Sequence, residues 1–185
     1  MPLTFTPTTL PGVVIIEPKV FSDERGFLME TYKKSEFAAV GLEAEFVQEN
    51  HSRSIRGTLR GLHLQRPPKA QAKLVRVIDG TVFEVVADVR QGSSTFRRWV
   101  SFTLSADNQR SLFIPAGYAH GFCVVSDEAQ VVYKTTEEYA PDLEWGVRWD
   151  DPMLAIAWPV SSPLLSRRDT QWPSLSDVVS SHRLE

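Results

Sequence analysis

The chain has 185 residues, of which 42% are hydrophobic and 23% are charged, a composition typical of a globular domain with a substantial core. Its 20 lysines and arginines and 23 acidic residues give a net charge of −3. No overall basic field would therefore attract nucleic acid or anionic lipid. Any anion that the protein binds must be held by a local basic site.

The single cysteine, Cys123, excludes an intrachain disulfide and a multi-cysteine zinc site, and it favours a reducing compartment. The N-terminal segment MPLTFTPTTLPG lacks the basic and apolar regions of a secretory signal. No stretch approaches the roughly 20 apolar residues of a membrane-spanning helix. We expect a soluble cytoplasmic protein in which residues 1–185 form one domain, because no repeat or linker divides them.

The first predicted elements are a strand, a turn and a short helix. The β-branched run at residues 13–17 lies between prolines and predicts a strand. Residues 23–26 are polar and predict a turn that is followed by extended chain. Residues 35–40 predict a helix that is capped by Ser35 and ends at Gly41.

The centre of the chain predicts many short strands, at residues 74–78, 81–89, 99–104, 111–114, 121–125 and 130–135. The Asp79-Gly80 pair predicts a two-residue hairpin between the first two of these strands. Such a series indicates an antiparallel sandwich or barrel, and the Trp- and Pro-rich chain after Pro141 is expected to wrap its outside. Alternate strand positions would face a pocket, for which Lys73, His120 and Tyr133 are candidates.

Residues 60–73, RGLHLQRPPKAQAK, form the most informative segment because they combine a histidine with several cations and two glutamines. A histidine exchanges protons near neutral pH. Neighbouring cations can hold phosphate or stabilise a developing oxyanion. The segment therefore favours acid–base chemistry on a negatively charged substrate.

Four side chains could together perform proton transfer next to a carbonyl group: His63, Lys73, Tyr133 and Asp169. That reaction requires a base, a donor that stabilises the enolate, an acid, and a carboxylate that orients the base. Each residue also has a plainer interpretation, as a loop histidine, a strand-end lysine, a core tyrosine or a surface aspartate. Their separation in the sequence does not show that they meet in space.

Several segments resemble the dTDP-4-dehydrorhamnose 3,5-epimerase family in its order and spacing, from about residue 12 to about residue 173: DERGF at 23–27, TLRGLH at 58–63, AQAKLVR at 70–76, FIPAGYAHGF at 113–122, YKTT at 133–136, GVRWDDP at 146–152 and LLSRRD at 164–169. The resemblance implies an all-β, cupin-type jelly-roll barrel with short peripheral helices. It implies a homodimer that needs no cofactor. The implied reaction is epimerisation of a nucleotide-linked 4-keto-6-deoxyhexose at C3 and C5.

The resemblance also implies roles for individual residues. His63 would be the base, oriented by Asp169, with Tyr133 as the acid and Lys73 stabilising the enolate oxygen. Residues 25–30 would reach the site of the neighbouring subunit. Substrate binding would fall to a larger set, namely Arg25, Phe27, Glu30, Gln48, Asn50, Arg60, His120, Glu144 and Arg168.

Two positions differ from the family pattern, since Leu64 and Glu138 stand where an aromatic residue is common. They leave open which nucleotide is bound and whether one or two centres are inverted. An epimerase that inverts only C3 or only C5 is therefore an alternative. So is a non-catalytic barrel that binds sugar nucleotides, although retention of all four chemical groups argues against it.

We expect no metal ion in this barrel. Metal-binding cupins typically present a His-x-His pair, and His63-Leu64-Gln65 lacks the second histidine. His51 and His182 lie outside the strands that would have to supply further ligands.

Overall fold

The computed structural model describes residues 3–180, within which thirteen β-strands and two short α-helices form. The helices are α1 (Lys34–Ala39) and α2 (Leu175–Ser180), and neither is long and apolar enough to cross a membrane. In chain order the strands are β1 (Leu3–Pro7), β2 (Val14–Pro18), β3 (Val20–Asp23), β4 (Gly26–Met29), β5 (Gln48–Ile55), β6 (Leu59–Gln65), β7 (Lys73–Asp79), β8 (Thr81–Ala87), β9 (Trp99–Ser105), β10 (Ser111–Ile114), β11 (Ala119–Val124), β12 (Glu128–Thr135) and β13 (Glu144–Gly146).

The strands build two antiparallel sheets and a separate hairpin. One sheet has six strands in the order β1-β2-β10-β7-β12-β5, and the other has five in the order β13-β6-β11-β8-β9. Within the described part of the chain, strands β3 and β4 pair only with each other. The two sheets form the jelly-roll barrel that the sequence predicts. That residues 1–185 constitute one domain stays a prediction.

Apolar side chains fill the space between the sheets, where Val75 and Val131 of the six-stranded sheet meet Val86 and Phe122 of the five-stranded sheet. Both outer faces are also partly covered. Phe37 of α1 packs on the six-stranded sheet. The chain beyond Pro141 packs its apolar residues on the five-stranded sheet, as predicted, through Trp145, Val147, Leu154, Leu175 and Val178.

The predicted central strands lie within two residues of their predicted ends, but the predicted hairpin at Asp79-Gly80 is wrong. Strand β7 pairs with β10 and β12, whereas β8 pairs with β9 and β11. Gly80 has a φ of 73° and turns the chain from one sheet into the other. A Cβ there would lie 2.0 Å from the carbonyl oxygen of Glu128, so this crossing requires glycine.

The early helix is found, but its predicted N-terminal cap is wrong. Helix α1 begins at Lys34, and Lys33 holds the cap position without a side-chain capping hydrogen bond. Ser35 therefore lies inside the first turn. Gly41 adopts a φ of 79° directly after the helix, as its predicted role as the end of the helix requires.

Strands β5 and β6 are absent from the sequence-based prediction. Strand β5 reads QENHSRSI, and its exposed and partly buried residues alternate along most of its length. Polar residues occupy both faces, since one face lines a cavity and the other meets solvent. A search for alternating hydrophobic residues cannot detect such a strand.

Candidate active site

A cavity of about 630 Å³ opens between the two sheets. Strands β5, β7 and β12 line one side, and β6, β11 and β13 line the other. Alternate residues point into it, as in Gln48, Asn50 and Ser52 of β5 or Lys73 and Val75 of β7. His63, Lys73, Tyr133 and Asp169 all lie in its lining.

His63 and Asp169 form a hydrogen-bonded pair in this cavity, with 2.5 Å between Nε2 and Oδ1. The other carboxylate oxygen, Oδ2, accepts a 2.7 Å hydrogen bond from the Ser166 hydroxyl. Burial opposes ionisation of Asp169, but the hydrogen bonds from His63 and Ser166 bring the pKa of Asp169 below its ordinary 3.8. The ionised carboxylate fixes a proton on Nε2, which leaves Nδ1 of His63 to exchange a proton.

Close packing of two strands sets the position of His63. Gly61 of β6 and Gly121 of β11 approach so closely that a Cβ on Gly61 would lie 2.6 Å from the Cα of Gly121. This contact places His63 opposite His120 in the strand register. The Trp172 ring meets the imidazole of His63 edge-on, with 5.9 Å between ring centroids. The strand contact thus fixes the backbone of His63, and Trp172 packs against its ring.

Lys73, His120 and Glu84 form a chain of hydrogen bonds from the cavity into the core. The Lys73 Nζ atom lies 2.7 Å from His120 Nε2, and His120 Nδ1 lies 2.8 Å from Glu84 Oε1. Burial lowers the pKa of Lys73 to about 8, although Glu84 and Glu144 oppose that shift. The ammonium form of Lys73 therefore predominates at neutral pH, within reach of a bound ligand.

Tyr133 extends from β12 into the same cavity. Burial raises the pKa of Tyr133 above its ordinary 10, and the positive charge of Arg60 opposes that shift. The phenol is therefore protonated at neutral pH and can act as an acid. Arg60 would then favour the phenolate that remains after proton release.

A second hydrogen-bonded group lies at the mouth of the cavity. Arg168 donates a hydrogen bond to Glu144 and a 3.0 Å hydrogen bond to the Tyr139 hydroxyl, which itself bonds Glu144 at 2.8 Å. Sequence reasoning predicted Glu144 and Arg168 but missed Tyr139. The sequence offers only an aromatic residue close to Glu144, four residues after the end of strand β12.

The glutamines of the cavity wall support the segment that carries Tyr139. The Gln65 side chain donates to the Glu138 carbonyl at 3.0 Å and accepts from the Ala140 amide at 2.9 Å. Gln71 donates to the Glu137 carbonyl at 2.7 Å. Gln48 accepts a 2.8 Å bond from the Tyr139 amide. Gln65 and Gln71 are the two glutamines of the segment 60–73 that the sequence analysis singled out.

Most of the predicted binding residues line the cavity: Gln48, Asn50, Arg60, His120, Glu144 and Arg168. Arg25, Phe27 and Glu30 are not part of that lining. Arg25 and Phe27 lie on the β3–β4 hairpin, where Arg25 pairs with Asp23 at 2.5 Å and Phe27 is 61% exposed. Glu30 follows the hairpin and acts electrostatically on Lys33.

The two positions that differ from the family pattern have different surroundings. Leu64 is buried and lines the cavity. Glu138 is exposed, and its carbonyl is the group that accepts from Gln65. Trp145 faces away from the cavity, because it alternates with Glu144 along β13 and packs in the outer apolar layer.

Within residues 3–180, no group of three or more His, Cys, Asp or Glu side chains is arranged to hold a metal ion. His51 is exposed on β5 and contacts Gln130, and His182 lies outside the described residues. That the site needs no cofactor stays a prediction.

Known proteins match this chain over nearly all its length. A profile of the dTDP-4-dehydrorhamnose 3,5-epimerase family matches residues 7–177. The dTDP-4-dehydrorhamnose 3,5-epimerase of Shigella flexneri is 55% identical over 172 residues, which cover 92% of this chain and 95% of that protein.

Solved structures agree with the sequence matches. A dTDP-6-deoxy-D-glucose-3,5-epimerase from Legionella pneumophila Philadelphia 1, crystallised with dTDP-4-keto-L-rhamnose, is 41% identical with a TM-score of 0.92, covering 97% of this chain and 96% of that one. A 3'-monoepimerase from Streptomyces bikiniensis, in complex with dTDP-quinovose, is 35% identical with a TM-score of 0.90, covering 95% and 90%. The jelly roll, the cavity and these matches show that the chain belongs to the dTDP-4-dehydrorhamnose 3,5-epimerase family.

Proposed function

We propose that this chain epimerises dTDP-4-keto-6-deoxyglucose at C3 and C5, giving dTDP-4-keto-rhamnose. Membership of the family makes it an isomerase-class enzyme. The observation that carries the proposal is that the His63–Asp169 pair, Lys73 and Tyr133 line a single cavity. These four groups supply what two proton transfers beside one ketone require.

The chemistry follows from the position of the C4 ketone. Both C3 and C5 are adjacent to it, so removal of a proton from either carbon gives an enolate. His63 accepts that proton at Nδ1 while Asp169 stabilises the imidazolium. The Lys73 ammonium stabilises the enolate oxygen. Tyr133 then returns a proton to the opposite face, which inverts the carbon.

The nucleotide part is assigned to the mouth of the cavity. Arg60, Arg167 and Arg168 lie in the lining, and a guanidinium can bond two phosphate oxygens at once. The half-exposed Tyr139 ring is available to stack on the thymine base. The Legionella pneumophila relative, crystallised with dTDP-4-keto-L-rhamnose, supports a dTDP-linked ligand.

We include a homodimer in the proposal, with the β3–β4 hairpin of each chain reaching the cavity of its partner. Phe27 and Leu28 are more than half exposed on this hairpin, and Phe21 is also exposed. Such a set of apolar side chains favours an interface. Arg25 would then add a cation to the partner's phosphate site.

Mixed dimers of two inactive variants test this arrangement. His63→Ala removes the base, and Arg25→Ala removes the cation that is proposed to act across the interface. If the hairpin reaches the partner's cavity, a mixed dimer regains one complete site and about half of the wild-type activity per dimer, as expected from one site in two. No regain in verified mixed dimers would show that Arg25 acts within its own chain.

A single-centre epimerase is the second candidate, and the similarity to the Streptomyces bikiniensis 3'-monoepimerase is the observation that favours it. That similarity, at 35% identity, is lower than the 55% identity to the Shigella flexneri 3,5-epimerase. A binding barrel without activity is disfavoured by the retained acid and base. A cytoplasmic location also stays part of the proposal.

Solvent exchange tests the reaction. The protein is incubated with dTDP-4-keto-6-deoxyglucose in D₂O, and deuterium at C3 and C5 is followed by NMR, with His63→Ala as the control. Label at both carbons, absent in the variant, would support a 3,5-epimerase. Label at only one carbon would identify a single-centre enzyme. No label despite binding of dTDP would contradict catalysis on this substrate.

A further inference from the structure

Glu84 is a buried acid that the proposed reaction does not use directly. It lies in β8 among apolar neighbours and has no exposed surface. Its Oε1 atom lies 2.8 Å from His120 Nδ1, while Oε2 has no hydrogen-bond partner within the described part of the chain. A carboxyl group in an apolar core is unfavourable for stability compared with an apolar side chain of similar size. Packing therefore does not explain why this residue is a glutamate.

Hydrogen-bond polarity gives Glu84 a defined effect on His120. An ionised carboxylate only accepts hydrogen bonds, so it requires a proton on Nδ1 of the imidazole. A neutral imidazole with that proton presents a lone pair at Nε2. That lone pair is 2.7 Å from the Lys73 Nζ atom and accepts one of its three hydrogens. The remaining hydrogens of the ammonium can point into the cavity.

We propose that Glu84 is a positioning residue, which acts through His120 to hold Lys73 in place and in its charged form. This inference rests on the proposed function, in which Lys73 meets the enolate oxygen. A negative charge at one end of the chain and a positive charge at the other leave the buried group neutral as a whole. The ammonium can therefore persist in a site from which water is largely excluded.

Lys73 and Glu84 each favour the charged form of the other, whereas burial opposes both charges. Burial lowers the pKa of Lys73 to about 8, and Glu84 and Glu144 raise it. Burial lowers the pKa of His120 well below its ordinary range, and interactions with Lys73 and His63 lower it further, so its imidazole is neutral. Burial raises the pKa of Glu84, and Lys73 opposes that shift.

Glu84→Gln tests the proposal because it keeps the shape of the side chain and removes the charge. Loss of the carboxylate removes an interaction that raises the pKa of Lys73. Turnover requires charged Lys73, so the decline of kcat at high pH should begin about 1 pH unit lower than in the wild type. The resulting loss of kcat should be about 3-fold at pH 7.5 and should approach about 10-fold above about pH 9. KM should change by less than about 3-fold, because Glu84 does not line the cavity.

Val82→Ala is the matched control, since Val82 is also buried on β8 but contributes only to the apolar core. This substitution should lower thermal stability, but kcat should decline at the same high pH as in the wild type. The proposal would be overturned if kcat of Glu84→Gln declined at the same pH as kcat of the wild type. It would also be overturned if Val82→Ala showed the same shift as Glu84→Gln, since general destabilisation would then explain both.

A measurement on the wild-type protein keeps the proposal testable if Glu84→Gln does not fold. Two-dimensional ¹H–¹⁵N NMR of the histidine rings, with His120 assigned from a His120→Asn sample, reports the tautomer without any turnover. The expected result is neutral His120 with its proton on Nδ1 at pH 7.5. A proton on Nε2, or on both nitrogens, would overturn the proposal. Failure of the proposed function would instead appear as the absence of deuterium at C3 and C5 when the wild-type protein is incubated with dTDP-4-keto-6-deoxyglucose in D₂O.

Discussion

Two buried carboxylates each bond a histidine of the same cavity, and their surroundings differ. Asp169 comes from the irregular C-terminal segment, and both of its oxygens accept hydrogen bonds from side chains. Glu84 comes from the middle of a strand, and among residues 3–180 only one of its oxygens finds a hydrogen-bond partner. The pKa of Asp169 is lowered by its hydrogen-bond donors, whereas the pKa of Glu84 is raised by burial.

A histidine paired with a carboxylate can therefore serve two different purposes, depending on the surroundings of the carboxylate. A well-solvated or well-bonded carboxylate stays ionised and helps its histidine to gain a proton. Asp169 thus suits a histidine that acts as a base. Glu84 has a buried histidine and a lysine beyond it. In the proposed arrangement, its carboxylate balances an ammonium and does not assist a transferred proton. We therefore propose proton transfer for His63 and charge placement for His120.

The largest effect is expected from loss of the His63 imidazole. His63→Ala should reduce kcat by about 10²- to 10⁴-fold, the usual contribution of a general base. His120→Asn should reduce it by less, because it disturbs Lys73 but leaves the base in place. Steady-state kinetics measures both, with dTDP binding by calorimetry as the control for an intact cavity. An equal or greater loss of kcat in His120→Asn would contradict the assignment of His63 as the base.

Asp169→Asn should have an intermediate effect. It keeps the size of the side chain but removes the charge that stabilises protonated His63. A charge-assisted hydrogen bond is worth about 1.5–3 kcal/mol, so kcat should fall by about 10- to 100-fold. Because the pKa of Asp169 is lowered, its carboxylate is fully ionised near neutral pH, and the loss should not vary with pH there. Rapid-quench measurement of a single turnover would detect the loss, and an unaltered rate would contradict the orienting role.

Asp88 should give the smallest effect on activity. It is as buried as Glu84, but it lies outside the cavity and accepts hydrogen bonds from Arg90, Ser93 and Thr95. Burial opposes its ionisation, yet these donors lower the pKa of Asp88 to about 2. The folded-state pKa is thus below the ordinary 3.8, so Asp88 stabilises the fold above that pH, and this contribution is lost as the pH falls towards 2.

Asp88→Asn should therefore lower the free energy of unfolding by on the order of 2 kcal/mol at pH 7 and flatten its decline between about pH 4 and 2. Chemical denaturation at several pH values measures this. Turnover at 25 °C and its pH profile should match the wild type. If kcat of Asp88→Asn also declined at a lower pH than in the wild type, loss of any buried carboxylate would produce the effect attributed to Glu84.

The sequence predicted the fold better than the connections within it. β-Branched runs mark the strands of the apolar core, such as β7 and β8, because these strands supply several of its buried valines. The Asp79-Gly80 signal describes only the local turn, whereas pairing of β7 with β10 and β12 depends on distant strands. Strand β5 was missed because a cavity-lining face is polar for functional reasons.

For the site, too, the sequence predicted residues that lie in recognisable motifs but not the contacts between residues that are far apart in the chain. Resemblance predicted His63, Lys73, Tyr133 and Asp169, and the structure places all four in the cavity lining, although their roles stay predictions. Glu84, Tyr139 and Trp172 were not predicted. Glu84 reads as one charge in the strand TVFEVVA, and only the fold shows that it bonds His120. Trp172 contacts His63 across 109 residues of sequence, and no pattern near either residue predicts that contact.

The most direct test of the proposed proton transfers is the behaviour of Tyr133→Phe in D₂O. His63 is assigned proton removal on one face and Tyr133 proton return on the other, so the variant should still remove the proton and form the enolate. The predicted result is deuterium at C3 or C5 of recovered substrate with its configuration retained, and inversion slowed by about 10²-fold or more. Inversion at the wild-type rate would show that Tyr133 is not the acid, and would contradict the central claim.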